Sequence, residues 1–424
     1  MPGISFRDCC PAESEDCVVR GMTQNLTIGE RVSWYRRRRG MSQDVLAGLV
    51  GRTDDWMSKV ENNRIPLDRL SVIRLLADAL DVSLGDLIGD PSLLEWTTDS
   101  GTATIPALRA ALMDYSHLMP APVPPTRDPD SYQLPALERE LSGVFDAYQG
   151  ARFGFVAGRL PGLLSAALAV AQRAEDESGY RLLALCYQVA ASVLTKLGET
   201  DLAWNAAERG LAAAQRTDDL AIVGSLMRSV AFTVMSTGRV QPAVDLVEAG
   251  AAYLQPYLHE GRDDMLSVYG TLLLVGSMAA ARSNRRDTVQ EFLAEADVAA
   301  RKLGGDRNCL WTAFGPTNVA IHRVNTAMEL GDVQIALRLG PGLDTSALPV
   351  ERRIRHQLEL ARAFNLAGRQ QDSVSALLDA EQAAPEQVRH HYLSRQLVLT
   401  WMRNAHGSPS FVLQALAQRM HVVR

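Results

Sequence analysis

The 424-residue sequence predicts an all-α protein with a compact N-terminal head followed by an array of helix pairs. Three observations predict it. Hydrophobic residues make up 47% and aromatics only 6%, an Ala- and Leu-rich balance that suits helical cores. Up to Ile88, short blocks carry apolar residues at the three-to-four-residue period of a one-sided helix. Beyond the proline-rich stretch near residue 120, glycine or asparagine punctuates amphipathic segments at intervals near 40 residues.

The net charge of −6 is unevenly placed. From Arg31 to Arg74, ten Arg or Lys face five acids, so this segment carries +5 and the remainder −11. A basic head on an acidic body is the electrostatic pattern of a nucleic-acid contact confined to one region. No apolar run reaches the roughly 18 residues of a membrane span, the nearest being Thr271 to Ala281, and no signal-peptide core is present. A cytoplasmic chain without membrane contact is expected. Residues 1–25 read as a disordered tail, and Met22 equally qualifies as the translation start. Five cysteines do not form a paired framework. Cys9, Cys10 and Cys17 cluster in the tail without a fourth zinc ligand, so neither a metal nor another cofactor is expected.

The first helix is marked by Ile28, Val32 and Tyr35, ending at Arg36 to Arg39 and Gly40. The arginines either complement the helix dipole or reach phosphates. Next comes SQDVLAGLVGRTDDWMSKVE, Ser42 to Glu61. Val45, Leu46 and Leu49 predict one short stripe, and Trp56, Met57 and Val60 a second. Ser42 and Thr53 are N-caps, since their hydroxyls accept from orphan amides. Gly51 stands where a chain leaving a helix takes positive φ. Two capped helices about a glycine turn form a helix-turn-helix unit, whose second helix enters the DNA major groove. Leu70, Ile73, Leu76 and Leu80, then Val82, Leu84, Leu87 and Ile88, predict two closing helices before Pro91.

The segment Ile28 to Ile88 resembles the XRE/Cro-like helix-turn-helix regulators of the actinobacterial type, a five-helix, lambda-repressor-like head. The features that carry the resemblance are Arg36, Ser42-Gln43, Leu46-Ala47, Gly51, Ser58, Val60-Glu61 and the stretch Leu75 to Leu84. It implies that Gln43 approaches a phosphate, that Thr53, Asp54, Asp55, Ser58 and Lys59 face the groove, and that Asn62 and Arg64 follow the backbone. It also implies an internal Arg36–Glu61 ion pair. Asp54 and Asp55 depart from the family's usual Gln, Ser or Arg. A carboxylate accepts from cytosine N4 but repels phosphates, and at a helix start it also complements the dipole. That shifts the expected weight to Arg52, Lys59 and Arg64. Trp56 is expected to pack against a neighbouring element.

The head is expected to span 26–91 and a linker 92–135, with one helix over Ile105–His117 and an extended Pro-rich spacer at 119–125. Over 136–424, helices are expected to end near Gly158, Gly198, Gly238, Asn284, Gly331 and Gly368, each followed by a second helix. Such pairs predict an α-solenoid, curved as a right-handed superhelix with an open inner face. The unit Arg353 to Pro385 resembles a tetratricopeptide repeat, so the array is expected to be TPR-like. A last pair, Val388–Asn404 and Ser408–His421, is expected to close it.

Trp311, Phe314, Asn318, His322 and Asn325 cluster on one unit, and the spacing puts Phe314, Asn318, His322 and Asn325 on one helical face, with Pro316 at the first turn. They form either core with one satisfied histidine or an aromatic-walled pocket, to which Arg228 and Tyr269 contribute. No GxSxG, Walker, HExxH or CxxC pattern occurs, and the pairs Asp218-Asp219 and Asp263-Asp264 sit where helix caps belong, so no enzymatic activity is expected. The expected protein is a homodimeric transcriptional regulator that binds double-stranded operator DNA and senses a small molecule or peptide in the array. Fused regulators of this resemblance sense such signals and control development or secondary metabolism. The rival is a scaffold tethered to DNA whose repeats recruit a protein partner.

Overall fold

Thr27 starts the first helix with a reciprocal cap. Its Oγ1 accepts from Glu30 N at 3.1 Å while its own N–H donates to Glu30 Oε2 at 2.9 Å. The computed structural model describes residues 26–82, 84–88, 104–113, 133–174, 177–405, 408–420 and 422. The N-terminal tail with Cys9, Cys10, Cys17 and Met22 lies outside them, as do Pro91 and the spacer 119–125. Among the described residues regular structure is helical, with one isolated antiparallel bridge between Arg307 and Phe314. Contacts divide the chain into two units. One falls within Met1–Asp68, Val72–Asp90 and Val398–Arg424, the other within Arg69–Ser71 and Pro91–Leu397.

The head contains α1 (Ile28–Arg38), α2 (Gln43–Leu49), α3 (Asp54–Glu61), α4 (Leu70–Leu80) and α5 (Leu84–Ile88). Its core is Ile28, Val32, Leu46, Ala47, Met57, Val60, Ile73, Leu76, Leu80 and Leu87, all at most 1% exposed. The stripe expected on α2 is corrected: Val45 and Leu49 are 50% and 61% exposed, while Leu46 and Ala47 turn inward. Seven residues span two turns, too few for periodicity to choose between adjacent faces. Gly51 has φ +66°, as its place in the turn requires. α1 and α3 cross so closely that a Cβ on Gly29 would stand 2.1 Å from the Val60 carbonyl oxygen. Thr27 Oγ1 donates to Asn63 Oδ1 at 2.6 Å, tying the end of α3 to the start of α1.

In the second unit, α6 (Thr104–Leu112) buries Leu108 and Leu112 and packs on α8. A helix therefore does lie in the interval 92–135, and it groups with the second unit. Six pairs follow: α7/α8 (Leu134–Gln149, Phe153–Ala174), α9/α10 (Glu177–Leu197, Thr200–Ala214), α11/α12 (Leu220–Ser236, Val240–Leu254), α13/α14 (Asp263–Arg282, Arg286–Leu303), α15/α16 (Pro316–Leu330, Val333–Leu339) and α17/α18 (Val350–Leu366, Gln370–Ala383). The turns at Gly198, Gly238, Asn284, Gly331 and Gly368 all take positive φ, so five of the six expected helix ends fall in place. Gly158 does not end a helix. α8 runs through it because Val156, Ala157 and Leu160 continue a buried stripe, and the turn lies earlier, at Gly150 and Ala151 (φ +58°).

The chain continues as α19 (Pro385–His390), α20 (Tyr392–Asn404) and α21 (Phe411–Arg419). The closing pair expected for the array divides, since contacts from Val398 onward group with the head, where Arg403 Nη1 lies 2.9 Å from Glu30 Oε1. Amphipathicity shows that a helix buries a face but not which surface receives it. A second correction concerns α8 and α13. The windows Phe153–Arg173 and Asp263–Arg282 are long and apolar enough to cross a membrane by length and composition. In Asp263–Arg282, however, 94% of the window is buried inside the protein, and small residues such as Gly270, Gly276 and Ala279 admit neighbouring helices.

The array curls back on itself. α17 touches α7, the Lys196 ammonium of α9 bonds Glu351 of α17, and Gly154 N donates to Glu386 Oε2 at 2.9 Å. The open inner face expected of a solenoid is therefore partly enclosed, and the polar side chains on it are buried or half-buried.

Candidate nucleic-acid interface and polar interior

The second helix of the helix-turn-helix unit is α3. Thr53 Oγ1 accepts from Trp56 N at 3.2 Å, and Asp54 and Asp55 lie exposed in the first turn. Below them, Arg36 Nε and Nη2 reach Glu61 Oε1 and Oε2 at 2.5 and 2.7 Å, and Arg36 Nη1 donates to Met41 O at 2.7 Å. Their side chains are 9% and 3% exposed, so this bidentate fork fixes α3 against α1 from inside. Burial alone would raise the Glu61 carboxyl. Hydrogen bonds from Arg36, Gln43 and Ser33, with the Arg36 charge, hold it below the ordinary value. The ion pair implied by the resemblance is present.

The expected DNA contacts differ in exposure and engagement. Arg52, Thr53, Asp54, Asp55, Asn62 and Arg64 are exposed, and Ser58 and Lys59 half-buried. Lys59 Nζ sits 2.6 Å from Asp55 Oδ2, an exposed i,i+4 pair of the kind that contributes about 0.3–0.5 kcal/mol, so a phosphate can readily displace it. Asn62 Nδ2 donates to Ser58 O at 2.8 Å. The Arg52 guanidinium lies 5.4 Å from the Trp56 ring centroid, which gives half-buried Trp56 a packing role. Gln43 Nε2 donates inward to Glu61 Oε2 at 2.8 Å and buttresses the ion pair. The arrangement places Lys59 on α3 and Arg52 and Arg64 just beyond its two ends, the helix itself being held from inside by the Arg36–Glu61 pair.

In the second unit the six expected ligand residues separate. Phe314 is fully buried and packs onto Gly270, where a Cβ would stand 1.9 Å from its Cζ. Trp311 stacks on Phe145 with centroids 4.0 Å apart. Its loop holds Leu310, Trp311 and Ala313 at φ +48°, +53° and +48°, braced by reciprocal amide bonds between Gln149 and Asn308 at 2.8 and 2.9 Å. Tyr269 gives its hydroxyl to Glu295. These three build the scaffold. Arg228, Asn318 and His322 instead belong to a polar interior.

That interior is assembled from the first helices of the pairs: Tyr148 on α7, Lys196 on α9, Arg228 on α11, His322 on α15, and Glu351, Arg352 and Arg355 on α17. Burial, then the neighbouring Arg352 charge, brings the Arg228 guanidinium down to about 10. Its Nε has no hydrogen-bond partner among the described residues. Burial and Arg352 likewise push His322 down to about 3, so the ring is neutral at pH 7. His322 Nδ1 lies 2.9 Å from Asn318 O, and a carbonyl only accepts, so Nδ1 carries the proton and Nε2 offers a lone pair. Burial would raise Glu351, but Lys196, Arg352 and Arg355 bring it down to about 2 and keep it ionised.

Sequence reasoning missed Tyr148, Lys196, Glu351, Arg352 and Arg355. The available signal was polar residues recurring on first helices at positions where a solenoid core expects apolar ones. An open groove of about 450 Å³ lies elsewhere, between α14, α15 and α16. Its Arg286 is chelated by Asp332, which leaves it fewer unsatisfied groups than the interior. Among the described residues no group of three or more His, Cys, Asp or Glu is placed to hold a metal ion.

Residues 27–88 match the family model for a helix-turn-helix domain, which coincides with the head. The match defines that domain, and the rest of the chain lies outside it. No curated protein matches the sequence. Two solved structures resemble the chain at low identity. One is BtubC (BKLC) from P. vanneervenii, with 16% identity over 65% of this chain and 95% of that one, TM-score 0.37. The other is a Rap protein complexed with competence and sporulation factor, with 10% identity over 86% of this chain and 99% of that one, TM-score 0.44.

Proposed function

We propose that the protein is an XRE-type transcriptional regulator that binds operator DNA through its head and senses a small molecule or peptide through its helical array. The observation that carries the reading is the capped α3, pinned from below by the buried Arg36–Glu61 pair, with the edge from Arg52 to Arg64 exposed to a duplex. Heads of this geometry act in pairs on half-sites related by two-fold symmetry, so the acting form is a homodimer. The polar interior supports sensing: it holds buried polar atoms without partners among the described residues, such as Arg228 Nε, Asn318 Oδ1 and Asn325 Oδ1, which a ligand would complete. A ligand there acts by preferring one arrangement of the dimer, and its leverage equals its differential affinity for the two.

The second reading, a DNA-tethered scaffold, is favoured by one observation. Tyr253 and Tyr257 form an exposed aromatic pair, 47% and 39% accessible with centroids 6.5 Å apart. The test is binding of the purified chain to its own promoter fragment, followed by addition of the low-molecular-mass fraction of a cell extract. Release by that fraction is the result expected of a sensor. Binding that ignores it, together with stoichiometric co-purification of one protein lost on Tyr253→Ala, would give the scaffold reading instead.

A further inference from the structure

The interior of the array holds more cation than its carboxylates neutralise. Lys196 pairs with Glu351. Arg355 Nη2 pairs with Glu359 Oε1 at 2.7 Å, and Arg362 Nη1 faces the other oxygen of the same carboxylate at 3.2 Å. Arg352 has only a 4.0 Å approach of its Nε to Glu351, a carboxylate already taken by Lys196. Arg228 has no ion pair among the described residues, and both its Nε and that of Arg352 lack hydrogen-bond partners. Two neighbouring, partly buried guanidiniums near a single carboxylate that Lys196 already holds repel one another, and desolvating each is unfavourable. An apolar pair of the same volume would be the more stable choice if nothing bound there.

The neighbouring groups have the character of a lining. Tyr148 brings a hydroxyl from α7. His322 shares its helical face with Asn325, which is 6% exposed with Oδ1 unpartnered. His391 is held well below its ordinary value by burial and by Arg355 and Lys196, so it adds a neutral ring. Arg228 and Arg352 are each only half-buried, so each guanidinium side chain keeps part of its surface in solvent.

Building on the sensing reading above, we infer that this interior is an oxyanion site. Arg228 and Arg352 clamp the carboxylate or phosphate group of a small-molecule ligand, and the His322–Asn325 face and the Tyr148 hydroxyl complete the lining. Guanidiniums suit this task because their planar N–H forks match both oxyanions in bidentate fashion.

The test measures the unfolding midpoint of the full chain with inorganic phosphate or with succinate, each against sodium chloride at equal ionic strength. A saturable rise of roughly 2–4 °C at several times the apparent Kd is expected for at least one of the two. Phosphate alone assigns a phosphate-bearing ligand, and succinate alone a carboxylate. The rise should vanish in Arg228→Met and in Arg352→Met. The anion-free midpoint of Arg228→Met should equal or exceed that of the native chain, because an uncompensated charge has been removed. No saturable rise in the native chain, or a rise that survives both substitutions, overturns the site. Promoter binding is measured on the same samples. An anion response that depends on Arg228 but never changes DNA affinity leaves the site standing and removes the sensing reading.

Discussion

Phe314→Ala is expected to destabilise the helical array by about 3–5 kcal/mol, the range for removing a large, fully buried aromatic ring. The reason lies in Gly270. Phe314 has no exposed surface, and its ring lies on the α13 backbone with Cζ 1.9 Å from where a Cβ of residue 270 would be. No alternative packing closes the space its ring leaves, because α13 is buried along nearly its whole length. The converse substitution, Gly270→Ala, overpacks the same contact and should cost about 1–3 kcal/mol or more. The double variant should be less destabilised than the sum, since the added methyl occupies part of the emptied volume. Denaturant melts of the four proteins measure the coupling. Strict additivity would mean that the ring and the glycine do not share the contact.

Glu61→Ala is the second large effect, centred on the head. It strands Arg36 at 9% side-chain exposure, and breaking a buried pair from one side costs about 3–5 kcal/mol. Gln43 loses its acceptor as well. The pH dependence follows from the sign of the shift. Glu61 is held below its ordinary value in the folded chain, so the unfolded chain takes up the proton first as pH falls. The pair's contribution is fully present above the unfolded carboxylate value near 4.5 and disappears as pH falls through the lower folded value. Hydrogen exchange in α1 and α3 between pH 3 and 7 should show this loss in the native chain. In Glu61→Gln the same amides should exchange faster at neutral pH and lose the carboxylate-linked part of the dependence.

These two sites differ in how far the sequence disclosed them. The Arg36–Glu61 pair was legible because the resemblance extends over the whole head, and the same holds for Gly51 and the caps Ser42 and Thr53. The turns at Gly198, Gly238, Asn284, Gly331 and Gly368 were legible for a local reason: positive φ is unfavourable for most side chains, so the residue type betrays the backbone. Gly158 misled because glycine is permitted, though not required, inside a helix. Val45 and Leu49 misled because α2 spans only two turns.

The interior site was legible in fragments. Arg228, Asn318 and His322 drew notice as polar residues on apolar helices, but Lys196 meets Glu351 across 155 positions. No local pattern encodes that meeting, which depends on how tightly six pairs curl. Helical spacing groups Phe314 with His322, and Trp311 joins them only as a sequence neighbour. Two backbone residues at positive φ, Trp311 and Ala313, precede the helix, so the spacing rule did not extend to its N-terminal side.

The proposed reading of DNA by α3 relies on Arg52, Lys59 and Arg64 for much of its affinity. Its most direct measurement is the salt dependence of promoter binding by the native chain and by the Lys59→Ala/Arg64→Ala variant. Weaker binding by the variant is expected, with a slope of log Kobs against log salt shallower by about 2, roughly one unit per lost phosphate contact, and melting of the head unchanged. Equal affinity and equal slope in the two proteins would contradict it.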